Sequence, residues 1–208
     1  MNLQPFTVVA GAAPYLPQAN LDTDVIIRIE RLTALARDAL GPFALESLRY
    51  RPDGSEDPGF VMNQAHFRSA PFLLAGENFG CGSSREGAVW ALRGIGIRCV
   101  VAPSFGDIFF SNCFQNGVLP VRLPAEQIRS LAEACRGGEA LTVDLERCVL
   151  SAASGPEIPF MVDPLRREGL IHGLDDIGLT LKHNDEILAW QRVDRQRRPW
   201  AWSTVTRL

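Results

Sequence analysis

Short runs of apolar and β-branched residues, each bounded by Gly or Pro, recur at Phe6 to Ala10, Phe72 to Ala75, Cys99 to Ala102 and Leu119 to Arg122. Their length and edges predict strands. Between the last two, Ser104 stands where it can cap a helix. Asp107 follows at capping-box spacing with a shorter acid than usual, and Gly117 supplies a C-terminal stop. Strand, helix and strand fit within about 24 residues, a compact β-α-β unit.

Downstream the period changes. Ile128, Leu131, Ala132 and Cys135 recur at i, i+3, i+4 and i+7 before Gly137-Gly138, the pattern of an amphipathic helix with a stop. Leu141 to Leu145 and Cys148 to Ala152 predict a hairpin around Glu146-Arg147, although these are not favoured turn residues. Asp163-Pro164 starts another helix, because Pro is tolerated at a first helical position. A last helix is predicted from Asn184 to about Val193. The segment Arg51 to Gly59 is dense in turn formers and acids and reads as an exposed loop. With no internal repeat and no long linker, the economical reading is one α/β domain with a mixed sheet over residues 1–208, ending in a short basic tail from about residue 194.

Composition changes this picture only by exclusion. A chain of 208 residues with 46% hydrophobic residues can bury about 70% of its surface, so its core needs no covalent staples. The net charge of −3 leaves no basic stripe to displace counterions from a phosphate backbone, which argues against a nucleic-acid partner. The one basic cluster, Arg192, Arg195, Arg197 and Arg198, reads as a solvated tail. No apolar run approaches a bilayer span, and the N-terminus lacks the pattern of a signal peptide, so a cytoplasmic chain without membrane contact is expected. Cys81, Cys99, Cys113, Cys135 and Cys148 form no C-x-x-C pair. Neither a disulfide framework nor a zinc or iron–sulfur ligand run follows from their spacing. His66, His172 and His183 also lack metal-like spacing and read as surface or loop residues.

The chemistry concentrates between Gly76 and Leu92, where a strand passes through Gly76, Gly80 and Gly82 into a helical pattern. Such glycines allow close approach of a ligand to the backbone. Ser83 and Glu86 have the S-x-x-E spacing of a capping box, which predicts a helix starting there with its positive dipole end outward. Arg85 adds a planar fork suited to a carboxylate or phosphate. The segment matches neither G-x-G-x-x-G, the P-loop, nor a G-x-S-x-G elbow. Two readings stay open from these residues: an anion site carrying two hydroxyls, or a capped helix whose serines do no chemistry. The Asp22-Thr23-Asp24 triplet likewise suits local backbone capping.

Four motifs taken in order, Asn20-Leu-Asp-Thr-Asp-Val-Ile-Ile27, the Gly82-Ser-Ser-Arg-Glu86 loop, Val101-Ala-Pro-Ser-Phe-Gly-Asp-Ile-Phe109 and Gly173-Leu-Asp-Asp-Ile-Gly-Leu-Thr-Leu181, resemble the 3-isopropylmalate dehydratase small-subunit family of the aconitase superfamily. The resemblance extends from about residue 6 to residue 193. It implies a swivelling β/β/α domain like the C-terminal domain of aconitase, inactive alone and closing over a large subunit that carries a [4Fe–4S] cluster. No cofactor would then be bound by this chain. It further implies that Ser83 removes a C–H proton next to a carboxylate, that Ser84 and Arg85 hold the carboxylate of a small hydroxy-diacid, and that Asp24, with Thr23 beside it, orients the serine or the arginine. The reaction implied is the dehydration and rehydration that convert 2-isopropylmalate to 3-isopropylmalate in leucine biosynthesis.

Two departures bear on substrate. Where the family commonly continues Ser-Ser-Arg-Glu with His-Ala-Pro-Trp, this chain has Gly87-Ala-Val-Trp90, and a glycine in a first helical turn costs about 0.5–1 kcal/mol relative to alanine. Arg28 replaces a frequent proline ahead of Ile29 to Leu32, a segment that resembles the family's substrate-selecting region. A guanidinium there either meets an extra carboxylate or faces solvent. Gly87 and Arg28 thus leave open a paralogue acting on citramalate or another 2-substituted malate, beside a non-catalytic anion-binding module.

Overall fold

The computed structural model describes residues 3–82, 85–153 and 155–202. The chain divides into two compact units, Met1–Asp175 and Asp176–Leu208. The first unit opens with strands β1 (Val8–Gly11) and β2 (Tyr15–Leu16) and the short helices α1 (Thr23–Ile26), α2 (Ile29–Ala34) and α3 (Glu46–Arg49). It continues through β3 (Phe72–Ala75), α4 (Gly87–Gly94), β4 (Cys99–Ala102), α5 (Asp107–Gln115), β5 (Leu119–Arg122) and α6 (Ala125–Ala134). It closes with β6 (Leu141–Asp144), β7 (Val149–Ala152), β8 (Ile158–Pro159) and α7 (Pro164–His172). The second unit holds α8 (Asp176–Leu181) and α9 (Asn184–Arg197).

The mixed strand polarity predicted from the pattern is divided between two sheets. Strands β2-β3-β4-β5 form one, parallel throughout, and β1-β6-β7-β8 form the other, antiparallel throughout. Every residue of β3 and β4 is buried because both faces of the parallel sheet are covered. Leu73, Ala75, Val100 and Ala102 point to one core, shared with Ala88, Ala91 and Leu92 of α4 and Phe109 and Cys113 of α5. Phe72, Leu74, Cys99 and Val101 alternate to the other, where they meet Ile128 and Leu131 of α6 and Leu141, Val143 and Leu150 of the antiparallel sheet. The in-register pairs Phe72 with Cys99 and Leu74 with Val101 keep each set on its face. In β6 and β7 only alternate residues are buried, as expected of a sheet with one covered face.

Several boundaries move for identifiable reasons. Phe6 leaves the first strand: its N–H donates to the Leu170 carbonyl at 2.9 Å, its side chain is fully buried, and the Arg98 guanidinium lies 5.3 Å from its ring centroid. The hairpin loop is Leu145 to Cys148, since the Leu145 N–H turns to the Thr7 carbonyl and Cys148 takes a left-handed φ of 53°. Helix α5 starts at Asp107, not at a Ser104 cap, because the Ser104 hydroxyl is engaged by the Asn78 N–H at 2.8 Å. Asp163 caps α7 as expected, accepting from the N–H groups of Leu165 and Arg166 at 3.0 and 3.1 Å. Helix α9 continues past Val193 to Arg197, so Arg192, Arg195 and Arg197 lie on it. Its end is held by Asp194, which accepts from Arg198 Nε at 2.8 Å and from the Trp202 indole N–H at 3.0 Å.

Candidate functional site

The segments that follow β2, β3 and β4 extend the parallel order beyond the sheet. Gly80 N–H donates to the Leu21 carbonyl at 2.8 Å and Thr23 N–H to the Cys81 carbonyl at 2.9 Å. On the other side Phe79 N–H donates to the Ser104 carbonyl and Gly106 N–H to the Phe79 carbonyl, both at 3.0 Å. The glycine loop is therefore clamped by backbone bonds between two neighbours at the carboxyl ends of parallel strands, where open α/β sheets place their ligands. Asn78 and Asn20, both with left-handed φ (56° and 57°), join their side chains at 2.7 Å across the first seam. From the sequence, none of Asn20, Asn78 and Ser104 carried a role at the site, although Asn20 and Ser104 fall within the ordered motifs and Ser104 reads there as a helix cap; for the two asparagines the available signal was the tolerance of Asn for positive φ.

Gly80 is required by its surroundings as well as by its φ of 70°. A Cβ there would fall into the Phe109 ring, 2.7 Å from Cδ1 and Cδ2. That ring is fixed edge-on to Phe79 with centroids 5.4 Å apart. The loop thus lies directly on the aromatic part of the core.

The Asp22-Thr23-Asp24 triplet divides its tasks. Asp22 caps α1, its Oδ1 accepting the Val25 N–H at 2.8 Å. Thr23 is 1% exposed and holds the glycine loop through its N–H, and its hydroxyl side faces Gly82. Asp24 projects from the first turn, its side chain 58% exposed, and pairs with Nη1 of Arg85, whose side chain is 27% exposed. The structure therefore brings Asp24, Thr23 and Arg85 to one place. Ser83 and Ser84 lie outside the described residues.

Helix α4 begins at Gly87, with Glu86 at its N-cap in helical geometry and making no side-chain cap bond. The Glu86 carboxylate instead accepts from Asn116 Nδ2 at 2.8 Å. Gly87 is buried, and a Cβ there would press into the Leu32 side chain, 3.2 Å from Cδ1. Its missing side chain lets α2 approach α4. Arg28 stands at the N-cap of α2, where its guanidinium pairs with Glu30 at 3.7 Å and Glu46 at 3.9 Å. Glu46 is held chiefly by Arg31, at 3.0 Å.

Burial pushes the thiols of Cys99 and Cys113 up, which favours their protonated form. Among the described residues no group of three or more His, Cys, Asp or Glu side chains is placed to hold a metal. No helix among them is long and apolar enough to cross a membrane. What the arrangement supplies is a guanidinium fixed by a carboxylate beside the start of a helix, a geometry that suits a bound carboxylate.

The aconitase C-terminal domain family matches residues 3–126, and the family of C-terminal domains of 3-isopropylmalate dehydratase small subunits matches residues 176–201. A 3-isopropylmalate dehydratase small subunit of Gluconacetobacter diazotrophicus is 52% identical over 200 residues, covering 95% of this chain and 97% of that protein. A second, of Paramagnetospirillum magneticum, is 50% identical over 95% of this chain and 100% of its own length. The crystal structure of 3-isopropylmalate dehydratase from Methanocaldococcus jannaschii superposes with a TM-score of 0.66 at 27% identity, covering 88% of this chain and 99% of that one.

Proposed function

The chain belongs to the 3-isopropylmalate dehydratase small-subunit family, and we propose that its glycine loop and the start of α4 form one half of the site at which 2-isopropylmalate is dehydrated and rehydrated to 3-isopropylmalate. The activity is that of a hydro-lyase of leucine biosynthesis. Relatives at about half identity favour isopropylmalate over citramalate and over a non-catalytic anion-binding role. A small subunit implies a large one, and the cytoplasm is the compartment we assign to the pair.

The observation that carries the site assignment is the Asp24–Arg85 pair beside the clamped glycine loop. Asp24 anchors the guanidinium through Nη1, and Arg85, with Ser84, would hold a substrate carboxylate. Ser83 would remove the proton from the carbon next to that carboxylate. A serine hydroxyl is a weak base, so its alkoxide needs the N–H groups at a helix start and a nearby guanidinium. Loss of the proton and of the hydroxyl gives an alkene diacid, to which water returns at the neighbouring carbon. The [4Fe–4S] cluster that family membership implies is assigned to the large subunit, where it would supply a Lewis acid for the hydroxyl.

Reconstitution with the large subunit tests this. Ser83→Ala is expected to lower kcat by about 10²–10⁴. Arg85→Lys, which keeps the charge but loses the fork, is expected to raise KM for isopropylmalate about 10- to 100-fold, the worth of a hydrogen bond to a charged group. Turnover unchanged by Ser83→Ala, or citramalate preferred over isopropylmalate, would sink the proposal.

A further inference from the structure

Asn116 follows the last residue of α5, is 1% exposed, and uses its whole hydrogen-bonding capacity. Its Oδ1 accepts from Arg37 Nη2 at 2.5 Å and from the Trp90 indole N–H at 3.0 Å. Its Nδ2 donates to Glu86 Oε1 at 2.8 Å and to the Asn112 carbonyl at 2.9 Å. Two donors face the oxygen and two acceptors face the nitrogen, so the partners fix the orientation of the amide. Glu86 and Trp90 stand four residues apart on one face of α4, and Asn116 therefore grips that helix at two successive levels. Arg37 braces the outer side, its guanidinium 4.7 Å from the Trp90 ring centroid.

Glu86 has no side-chain role in capping α4, and the residue before it in the chain is Arg85. We propose that Asn116 is a positioning residue for the dehydratase reaction: by holding Glu86 it sets the rotation of the first turn of α4 and so the place of Arg85 opposite Asp24. The proposal rests on the reading that Arg85 binds the substrate carboxylate. An unbonded amide or carboxylate in this buried site is costly, which makes the grip stiff. Among the described residues, the charged groups that meet Asn116 are Glu86 at the N-cap of α4 and Arg37 on the turn Arg37–Ala39 between α2 and α3. Asp38 and Arg93 line a pocket together with Arg37 and Trp90.

The test uses the reconstituted pair of subunits. Asn116→Asp keeps the acceptor for Arg37 and Trp90 but sets a carboxylate against Glu86. KM for isopropylmalate is expected to rise about tenfold near neutral pH with a smaller change in kcat, and to fall back as pH is lowered and the two carboxylates share a proton. Combining Asn116→Asp with Glu86→Gln reverses donor and acceptor and is expected to bring KM back within about threefold of wild type. Glu86→Ala, which places no new charge in the interior, is expected to raise KM similarly without the pH dependence. The proposal is overturned if Glu86→Ala leaves KM unchanged, or if the double substitution is no better than Asn116→Asp alone. Arg85→Lys separates the two readings: if it raises KM while the Asn116 and Glu86 variants do not, only the positioning role fails. If Arg85→Lys has no effect on KM, the site assignment itself is lost.

Discussion

Gly80→Ala tests how closely the glycine loop is pressed onto the core. The backbone at residue 80 has φ of 70°, and a left-handed conformation costs a residue with a Cβ about 1–2 kcal/mol. The new methyl would also enter the Phe109 ring, which is 2% exposed, edge-on to Phe79 and stacked on Phe105 with centroids 6.4 Å apart. Overpacking of this kind costs about 1–3 kcal/mol. The sum is about 2–5 kcal/mol, and at about 2–4 °C per kcal/mol for a chain of this size it lowers Tm by about 4–20 °C. Gly96→Ala provides the control: φ there is 97°, but nothing lies within 4 Å of the position a Cβ would take, so only the backbone cost of about 1–2 kcal/mol applies. Urea denaturation of the full chain, followed by tryptophan fluorescence, measures both. Phe109→Leu in the Gly80→Ala background should recover part of the difference. If Gly80→Ala is no more destabilising than Gly96→Ala, the claim that the loop lies against the ring is wrong.

Asp22→Ala removes the cap of α1 and is expected to cost about 1 kcal/mol in urea denaturation, with m unchanged. A thiol reagent applied to the native full chain should label no more than Cys81 and Cys148, with Cys99, Cys113 and Cys135 reacting only on unfolding; rapid native labelling of any of these three would contradict the core assignment. Asp194 has its pKa lowered chiefly by the Arg198 hydrogen bond, with help from Trp202. Its folded value lies below its unfolded one, so its contribution to stability is complete above about pH 4 and is lost as pH falls through the folded value. Asp194→Asn should remove that part of the acid dependence in a pH series of thermal unfolding curves. An unchanged acid limb would count against the Asp194–Arg198 bond.

The legible parts of the fold were those with a local signature. All four apolar runs became strands, though the first begins at Val8, and the amphipathic run after Pro124 became α6. Asp163-Pro164 marked a helix start because cap and first turn are adjacent in sequence. Ser104 and Glu86 misled for a shared reason. Each sits at the spacing of a local cap, yet each side chain is taken by a distant partner, Asn78 and Asn116 respectively. The two-residue strands β2 and β8 carry no period of their own and exist only because β3 and β7 offer edges to pair with.

By itself the sequence determined strands β1 and β3 to β7, helices α4 to α7 and α9, the glycine-rich loop as the candidate site and the family to which the four ordered motifs point, because propensity, periodicity and motif spacing are local. Only the tertiary structure decided that the strands form two sheets, that Asp24 meets Arg85 across 61 positions of chain, that Gly87 makes room for Leu32, and that Asn116 holds the start of α4. Those outcomes depend on which buried polar groups find partners and which backbones can approach, conditions set by residues far apart in sequence and close only after folding.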